Sequence, residues 1–387
     1  MSVFPSTYIK LFGLRGNPFT SEIILEPSTA AELFVHQTCD VPVDPLITET
    51  VTGEGCSFIN IVGPPGSGRT MRLRYLQDKI SRYGGLPIYI SVNVATGPEI
   101  ITTVVNRVLA MARSMKTKIF KALNIPVTQV YQKRFQIGKS TPSEVGDLIL
   151  SNLKGSRPCA LLIDDVYNIY FVDRYWTFYF YEMIRQVVSS MPEGIIVALT
   201  FSPESYKEVE SQFPALISRV HEKIVIPPLS DQEALSLIIK RLAIYRTRKS
   251  PSKTYPFTEG CIFECNKYVD GVPQNLLKLL GKLLDMAAVS GVKQVDTRLL
   301  KDYLREKEWY SKIIEKVGAE YKSLLRFLFE KYPDRPFELD KIAMQLEIPV
   351  PQAYTYIEEL IAKGIINRSS GNRYILSMKS DRIKFGR

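Results

Sequence analysis

The sequence has little of the chemistry that metal centres and secreted proteins use. Only two histidines, His36 and His221, occur among 387 residues, and the five cysteines are scattered without any CxxC pair. A zinc site is therefore not expected, because such sites are built from closely spaced cysteine and histidine ligands. Cysteines without a pairing pattern fit a reduced, cytoplasmic location.

Long apolar runs are also missing. No uninterrupted run approaches the roughly 18 residues that a membrane-spanning helix needs. The opening residues, MSVFPSTYIKLF, lack the basic start and apolar block of a signal peptide. We therefore expect neither a membrane partner nor a secreted protein.

The composition that is present is that of a globular protein with a basic excess. Hydrophobic residues make up 45% of the chain, and 50 Lys plus Arg against 40 Asp plus Glu give a formal charge of +10. Such an excess favours acidic partners, nucleic acid among them, over cationic substrates.

Residues 57–228 alternate between two kinds of apolar pattern. Short apolar runs such as SFINIV, LPIYISVNV, ALLIDD and GIIVALT read as buried strands. Longer segments with apolar residues at helical spacing separate them, for example RTMRLRYLQDKISRYG. This alternation predicts an α/β fold with a parallel sheet covered by helices on both faces.

Two further domains are predicted after this one. Residues 229–305 read as helices only, opened by a capping box of Ser230 and Glu233. Residues 306–387 read as three helices and a hairpin with SSGN at its tip, which is the pattern of a winged helix-turn-helix. Residues 1–56 are then an N-terminal extension.

The segment GPPGSGRT has the form of a phosphate-binding loop between a strand and a helix. Its glycines let backbone N–H groups point at phosphates, and the following helix adds the positive end of its dipole. The hydroxyl of Thr70 is a ligand for magnesium. The predicted nucleotide-binding residues are Gly63, Pro64, Pro65, Gly66, Ser67, Gly68, Arg69, Thr70 and Met71.

Arg69 stands where such loops carry lysine. Its planar fork is larger than an ammonium group, so the exchange is not conservative. Backbone amides and Thr70 still allow ADP or ATP to bind, whereas charge placement on the γ-phosphate is less accurate. Binding is therefore a safer expectation than fast hydrolysis, and a plain glycine turn is the alternative.

The segment ALLIDD ends a strand in two acids. Asp164 is the candidate ligand of Mg²⁺, and Asp165 is the candidate group that orients the attacking water. Two solvated acids at the end of a buried strand are the alternative. In VALTFSPES, Thr200 or Ser202 is a polar group able to contact the γ-phosphate, or an ordinary hydroxyl at the end of a strand.

Arg219 lies near the end of a short helix, before the strand EKIVI. An arginine at this place either reaches the nucleotide of a neighbouring subunit, which would require self-association, or is an ordinary surface residue.

Together these motifs resemble the AAA+ ATPases of the origin-recognition type, the archaeal replication initiators and their archaeal ATPase relatives. The resemblance implies an ATP-switched protein whose lid and winged helix hold duplex DNA. It also implies that residues 63–70 bind phosphates, Asp164 binds magnesium, Asp165 orients water and Arg219 reaches a neighbour's nucleotide.

Two features depart from this family. Gln274, in DGVPQN, stands where the lid of the family carries an arginine that contacts the γ-phosphate. Its amide can hydrogen-bond a phosphate but carries no charge, so Gln274 is also a predicted nucleotide-binding residue. The opening LFGLRGNPF is closer to that of helper ATPases in secretion and transposition systems. Asp165 is a third departure, because glutamate is the usual second acid and the side chain of Asp165 is one methylene shorter. Together with Arg69, the exchanges at Asp165 and Gln274 make slow or absent hydrolysis an expectation in its own right.

Two basic segments are candidate nucleic-acid surfaces. Residues 101–143 carry eight cations and no acid, and residues 363–387 carry seven cations and one acid. The predicted DNA contacts are Gln352, Tyr354 and Thr355 on the third helix, and Arg368 and Arg373 beside the hairpin tip.

Three functions remain open from the sequence. The main one is an ATP/ADP-binding initiator-like or regulatory protein that binds double-stranded DNA. The second is a helper or scaffold ATPase whose winged helix binds protein, and the third is a pseudo-ATPase with structural nucleotide. Glu358 and Glu359 on the third helix weigh against DNA, because they repel phosphate unless they are turned away.

Overall fold

The computed structural model describes residues 4–19, 26–92, 96–122, 137, 140–171, 173–305, 307, 318, 321–332, 336–369 and 373–376. The chain divides into two compact units. One contains Phe19–Ile244 and Cys265–Leu279, and the other contains Met1–Pro18, Tyr245–Glu264 and Leu280–Arg387.

The first unit is built on a parallel sheet of five strands. They are β1 (Ser57–Val62), β2 (Leu86–Ser91), β3 (Cys159–Asp164), β4 (Ile195–Phe201) and β5 (Glu222–Val225). Their order is β2-β3-β4-β1-β5, with every pairing parallel. The strands β1, β3 and β4 are buried along their whole length, which explains why they read as continuous apolar runs.

Helices cover both faces of this sheet. Phe58 of β1 belongs to one core cluster and Ile59 to another, because successive residues of a strand point to opposite faces.

The helices from the amino terminus onwards are α1 (Pro5–Phe12), α2 (Pro27–Leu33), α3 (Val43–Thr52), α4 (Arg69–Arg82), α5 (Gly97–Ala122), α6 (Pro142–Lys154), α7 (Arg174–Ser189), α8 (Pro203–Gln212), α9 (Pro214–Ile217), α10 (Asp231–Tyr245), α11 (Glu259–Tyr268) and α12 (Pro273–Ser290).

Local side-chain caps fix several helix starts. The capping box predicted at Ser230 is present: the N–H of Ser230 donates to Glu233 at 2.7 Å, and the N–H of Glu233 donates to Ser230 Oγ at 3.3 Å. Ser202 caps α8, because its Oγ accepts from the N–H of Ser205 at 3.1 Å. Of the two hydroxyls considered after β4, Ser202 is therefore engaged in capping.

The second unit ends in three helices and a small antiparallel sheet with its own apolar core. The elements are α13 (Lys322–Lys331), β6 (Phe337–Glu338), α14 (Leu339–Gln345), α15 (Val350–Ala362), β7 (Ile366–Arg368) and β8 (Arg373–Leu376), and the sheet order is β6-β8-β7. These are the three helices and the hairpin of the predicted winged helix-turn-helix. The strand β6 was not predicted.

Parts of the predicted basic surfaces lie outside the described residues. This applies to Lys133, Arg134 and Lys139, to the hairpin tip at 370–372, and to the tail that carries Lys379, Arg382, Lys384 and Arg387. In the part of the chain that the structure describes, no helix has the length and apolar character of a membrane span.

Candidate functional site

The glycine-rich loop lies between the carboxyl end of β1 and the first turn of α4. Gly66 and Gly68 have φ of 79° and 100°, a conformation that side chains other than glycine rarely adopt. Gly68 is the N-cap of α4, so it cannot cap that helix with a side chain. The first N–H groups of α4 therefore have no intrahelical partner and are available to an anion.

Close neighbours also leave no room for a side chain at two glycines of the loop, Gly63 and Gly66. A Cβ on Gly63 would lie 2.5 Å from Ser67 Oγ, and one on Gly66 would lie 2.6 Å from Gln274 Oε1. The hydroxyl of Ser67 is buried and has no hydrogen-bond partner among the described residues. Pro64 and Pro65 are exposed at the tip of the loop.

Asp164 ends β3 beside the next strand of the sheet, β4. Its Oδ1 accepts from the hydroxyl of Thr200 at 2.6 Å, and its Oδ2 accepts from the hydroxyl of Tyr89 at 2.8 Å. The structure thus brings together the predicted Asp164 and Thr200, and it adds Tyr89, which has no sequence signal. Both carboxylate oxygens of Asp164 are held in place, and the side chain is buried.

Asp165 turns away from the strand with φ of 56°. Its Oδ1 lies 4.0 Å from the guanidinium of Arg69, and its Oδ2 accepts from Ser91 at 3.5 Å. Burial and the neighbouring Asp164 raise the pKa of Asp165, while Arg69 and Ser91 act in the opposite direction. The second acid and the arginine of the glycine-rich loop therefore form one ion pair at this edge of the sheet.

The residues of this edge fit a magnesium ion. Thr70, the first-turn hydroxyl of α4, is exposed, and the carboxylates of Asp164 and Asp165 supply the oxygen ligands that Mg²⁺ prefers. Because both oxygens of Asp164 already accept hydrogen bonds, a bridging water suits this residue better than direct ligation. Among the described residues there is no group of three or more His, Cys, Asp and Glu that could hold a metal ion by themselves.

A cavity of about 210 Å³ opens beside the glycine-rich loop. Its walls come from the segment before α3, the loop, α4, α10 and the start of α12, all within the first unit. The lining residues are Phe19, Leu33, Phe34, Val35, Gln37, Gly66, Ser67, Gly68, Met71, Arg72, Leu229, Leu237, Arg241, Pro273, Gln274, Leu277 and Lys278. The predicted Met71 and Gln274 therefore line the same cavity as the loop.

A buried ion pair supports one wall of this cavity. The guanidinium of Arg72 contacts both carboxylate oxygens of Asp40, at 2.7 and 2.9 Å, and donates to Gln37 Oε1 at 2.8 Å. The backbone N–H of Gln37 in turn donates to Asp40 at 2.9 Å. This network joins α4 to residues that the sequence assigned only to an extension.

Arg219 follows α9 and is half-buried. Its guanidinium donates to the carbonyl of Ala215 in its own helix. Its role towards a second subunit stays a prediction.

The predicted DNA-binding residues lie on α15 and on the strands β7 and β8, and the two arginines among them are paired with acids. Gln352 and Thr355 are exposed on α15, and Tyr354 is half-buried. Arg368 forms an ion pair with Glu358 of α15, and the guanidinium of Arg373 lies 3.6 Å from Glu338. The acids of this surface therefore compensate the two cations that were expected to meet phosphates.

Sequence reasoning missed most of the cavity wall. Phe34, Gln37, Arg241 and Lys278 lie in segments far from the glycine-rich loop in the chain and belong to no motif. Arg241 and Lys278 are cations on helices that read as ordinary amphipathic segments, so only their position in space marks them.

Comparison with known proteins supports the fold. No protein-family model matches the sequence. The chain is 26% identical over 110 residues to an uncharacterized HTH-type transcriptional regulator of Methanocaldococcus jannaschii, and this alignment covers 28% of the chain. It covers 27% of the regulator, so the chain spans about a quarter of the length of that relative.

Solved structures of similar fold span nearly the whole chain. The Aeropyrum pernix ORC2 protein, solved as ADPNP–ADP complexes, has a TM-score of 0.50 and 13% identity, covering 95% of this chain and 94% of that one. The Aeropyrum pernix ORC1 protein in complex with DNA has a TM-score of 0.49 and 16% identity, with the same coverage. Such identities concern the fold alone. With the strand order β2-β3-β4-β1-β5 and the glycine-rich loop after β1, the fold is the α/β P-loop AAA+ fold.

Proposed function

We propose that this protein is an ATP- and ADP-binding AAA+ protein of the origin-recognition type, and that its winged helix binds double-stranded DNA. The observation that carries the nucleotide site is the glycine-rich loop: its positive-φ glycines, its uncapped helix start and the buried hydroxyl of Ser67 all border one cavity. These groups suit the phosphates of a nucleotide. The A. pernix ORC2 protein, which shares the fold, was solved with ADPNP and ADP.

Within this site Gly63 to Thr70 bind the phosphates and Thr70 holds Mg²⁺, with Asp164 acting through water. When bound, Mg²⁺ neutralises charge on the phosphate oxygens. Thr200 keeps the carboxylate of Asp164 in one orientation through a 2.6 Å hydrogen bond. Asp165 is the group that orients water for the conversion of ATP and water to ADP and phosphate.

Hydrolysis is proposed to be slow. In the structure Asp165 is paired with Arg69. This ion pair has to break before Asp165 can orient water and before Arg69 can contact the γ-phosphate. Gln274 adds no charge to the site. The nucleotide is therefore proposed to act mainly as a bound ligand.

The experiment for the nucleotide site uses the full chain. The bound nucleotide is extracted from the purified protein and identified by chromatography, and binding of ADP with magnesium is measured by calorimetry. ADP is expected in the extract. Absence of nucleotide from the extract together with no binding of ADP would disprove the nucleotide site.

DNA binding is proposed from the winged-helix fold and the formal charge of +10. Gln352, Tyr354 and Thr355 are proposed to reach base edges, and Arg368 and Arg373 to meet phosphates. DNA binding is measured by a filter-binding assay with random duplex DNA over a range of salt concentrations. The double variant Arg368→Ala, Arg373→Ala is expected to lower the slope of the logarithm of affinity against the logarithm of salt concentration by about 1 to 2 in magnitude. Equal slopes in the variant and the original protein would refute the assignment of the wing.

A second candidate function is favoured by the pairing of these arginines. Their partners Glu358 and Glu338 make the surface electrically mixed, as in many protein-binding surfaces. The protein would then be a helper or scaffold ATPase whose winged helix binds another protein. Complete lack of duplex DNA binding at low salt would favour this function over the first.

A further inference from the structure

We propose that a basic surface outside the winged helix binds the phosphate backbone of double-stranded DNA. It is formed by the end of α1 and by the loop of residues 246–258, which joins α10 to α11, and we call it the α1–loop surface. This inference rests on the proposed binding of duplex DNA and assigns part of that binding to residues outside any motif. The side chains that contact phosphates are Lys10, Arg248, Lys249 and Lys253.

The two segments of this surface concentrate charge of one sign. Residues 4–18 and 246–258 together contain six cations and no acid. The cations are Lys10, Arg15, Arg246, Arg248, Lys249 and Lys253. A surface whose cations are segregated from acids attracts the phosphates of nucleic acid, because each phosphate contact releases counterions.

Backbone hydrogen bonds bring the two segments together within one compact unit. The N–H of Arg15 donates to the carbonyl of Tyr245 at 2.9 Å, and the N–H of Thr247 donates to the carbonyl of Gly13 at 2.9 Å. This antiparallel pairing joins the end of α1 to the start of the loop. Cations from two distant parts of the chain therefore share one surface.

Arg248 is held across the end of α1. Its guanidinium donates to the carbonyl of Lys10 at 3.2 Å, and a Cβ on Gly13 would lie only 2.7 Å from its Cγ. Gly13 ends the helix with φ of 65°, so this glycine both terminates α1 and leaves room for the arginine. The contact uses one N–H of Arg248 and fixes its charge close to Lys10.

Arg246 has a structural role in the loop. Its guanidinium donates to the carbonyls of Lys253 and Tyr255 and lies over the ring of Tyr255. The hydroxyl of Tyr255 in turn donates to the carbonyl of Leu11 at 3.2 Å. These contacts close the loop and attach it to α1, so Arg246 is occupied and is not counted among the DNA contacts.

The three lysines of the surface are exposed and uncompensated. Among the residues that the structure describes, the ammonium groups of Lys10, Lys249 and Lys253 form neither a hydrogen bond nor an ion pair. In contrast, Arg368 and Arg373 of the winged helix are each paired with a glutamate. A phosphate can therefore bind the lysines without displacing an acid.

An acid that contacts α1 is compensated on the buried side of the helix. Asp285 accepts hydrogen bonds from the hydroxyl of Tyr8 and, at 2.7 Å, from the amide of Asn17. Tyr8 is buried, whereas Lys10 is exposed two positions later and so lies on a different face of α1. The carboxylate of Asp285 therefore does not neutralise the exposed lysine.

Double-stranded DNA is the polyanion that this surface fits, because the same compact unit contains the winged helix. Contacts with phosphates carry no sequence information, but they add affinity and fix the orientation of a protein on the duplex. The α1–loop surface would supply such contacts with uncompensated cations. Base edges are left to α15 of the winged helix.

The test measures binding of random duplex DNA to the full chain by filter binding over a range of salt concentrations. The triple variant Lys10→Gln, Lys249→Gln, Lys253→Gln is expected to lower the slope of the logarithm of affinity against the logarithm of salt concentration by about 2 to 3 in magnitude. The reason is that each phosphate neutralised by a cation contributes about 0.9 to this slope.

A matched control removes the same charge elsewhere. Lys154→Gln, Lys207→Gln, Lys267→Gln changes three exposed lysines of the unit that contains the parallel sheet and should leave the slope unchanged. Replacing the three lysines of the α1–loop surface by arginine keeps their charge and should restore the slope of the original protein. Thermal unfolding shows that each variant is folded.

The outcomes separate this inference from the function it rests on. If the original protein binds duplex DNA and the two glutamine variants have the same slope, the inference is wrong and DNA binding stands. If the original protein binds no duplex DNA at low salt, both are wrong. A lower slope confined to the glutamine variant of the α1–loop surface supports both.

Discussion

At the scale of single residues, Arg69 determines how the site behaves. The larger guanidinium fork lies 4.0 Å from Asp165, where a lysine ammonium would present one point charge. An arginine in this place holds the second acid in an ion pair and is a less accurate partner for the γ-phosphate. In the proposed function, Arg69 thus acts with Asp165 and Gln274 to favour binding of the nucleotide over its hydrolysis.

We expect Arg69→Lys to raise the rate of phosphate release from ATP about tenfold, which corresponds to about 1.4 kcal/mol in the transition state. The reason is that a lysine restores a compact charge and weakens the hold on Asp165. Release of phosphate is measured at saturating ATP. Arg82→Lys, an exposed residue at the end of α4, is the control, and an unchanged or lower rate in Arg69→Lys would contradict the argument.

The raised pKa of Asp165 predicts a pH-dependent stability. In the unfolded chain an aspartate has a pKa of about 3.9. In the folded protein the pKa of Asp165 is higher, so its carboxyl group keeps the proton to a higher pH. Below the pKa of the unfolded state, Asp165 therefore leaves the free energy of unfolding unchanged. As the pH rises from there towards the pKa of the folded state, the free energy of unfolding falls.

Asp165→Asn is accordingly expected to raise the melting temperature of the nucleotide-free protein at pH 7, with a gain that shrinks towards pH 4. Asparagine tolerates the positive φ at this position, so the backbone is not strained. Thermal unfolding of the two proteins across this pH range checks the expectation. A gain that is the same at both ends of the range would show that the buried charge is not its cause.

At the scale of elements, α4 joins the two sides of the site. It begins at the glycine-rich loop and, one turn later, Arg72 contacts Asp40 in the segment before α3. The loop is thereby anchored to the wall of the cavity. The five strands of this unit and α4 were predicted within a few residues of their observed bounds, because their apolar patterns are strong.

Breaking the buried pair should destabilise the protein markedly. Asp40→Ala is expected to lower the free energy of unfolding by about 3 to 5 kcal/mol, because it leaves the guanidinium of Arg72 buried without its carboxylate. Lys79→Ala, on the same helix as Arg72, removes a half-exposed contact of 3.9 Å with Asp44 of α3 and should cost less than about 1 kcal/mol. Urea denaturation compares the two, and similar losses would mean that the buried pair is not special.

At the scale of the whole molecule, the basic excess is distributed unevenly. The formal charge is +10, yet Arg368 and Arg373, beside the hairpin, are both paired with acids. If this surface binds DNA, Arg368 and Arg373 each have to give up the ion pair with a glutamate and form one with a phosphate instead. The acids then set the affinity as much as the arginines do.

The double variant Glu338→Gln, Glu358→Gln should therefore bind duplex DNA more tightly. The slope of the logarithm of its affinity against the logarithm of salt concentration should be steeper by about 1 to 2. Removing the acids frees Arg373 and Arg368 for phosphates and removes two repulsive charges. Filter binding over a range of salt concentrations gives the slope. Glu54→Gln, in the unit that contains the parallel sheet, is the control and should leave DNA binding unchanged. An unchanged affinity in the double variant would be evidence that DNA does not bind at this surface.

The sequence by itself determined the kind of fold and the centre of the site. Buried parallel strands, a glycine-rich turn before a helix and acids at the end of a strand are local patterns, so the places of Gly66, Gly68, Arg69 and Asp164 in the candidate site could be predicted from their neighbours in the chain. Only the tertiary structure decided which distant groups meet them. The bond of Tyr89 to Asp164, the pair of Arg72 and Asp40, and the place of Lys278 beside the loop depend on strand order and helix packing, which bring together residues that no spacing in the sequence relates.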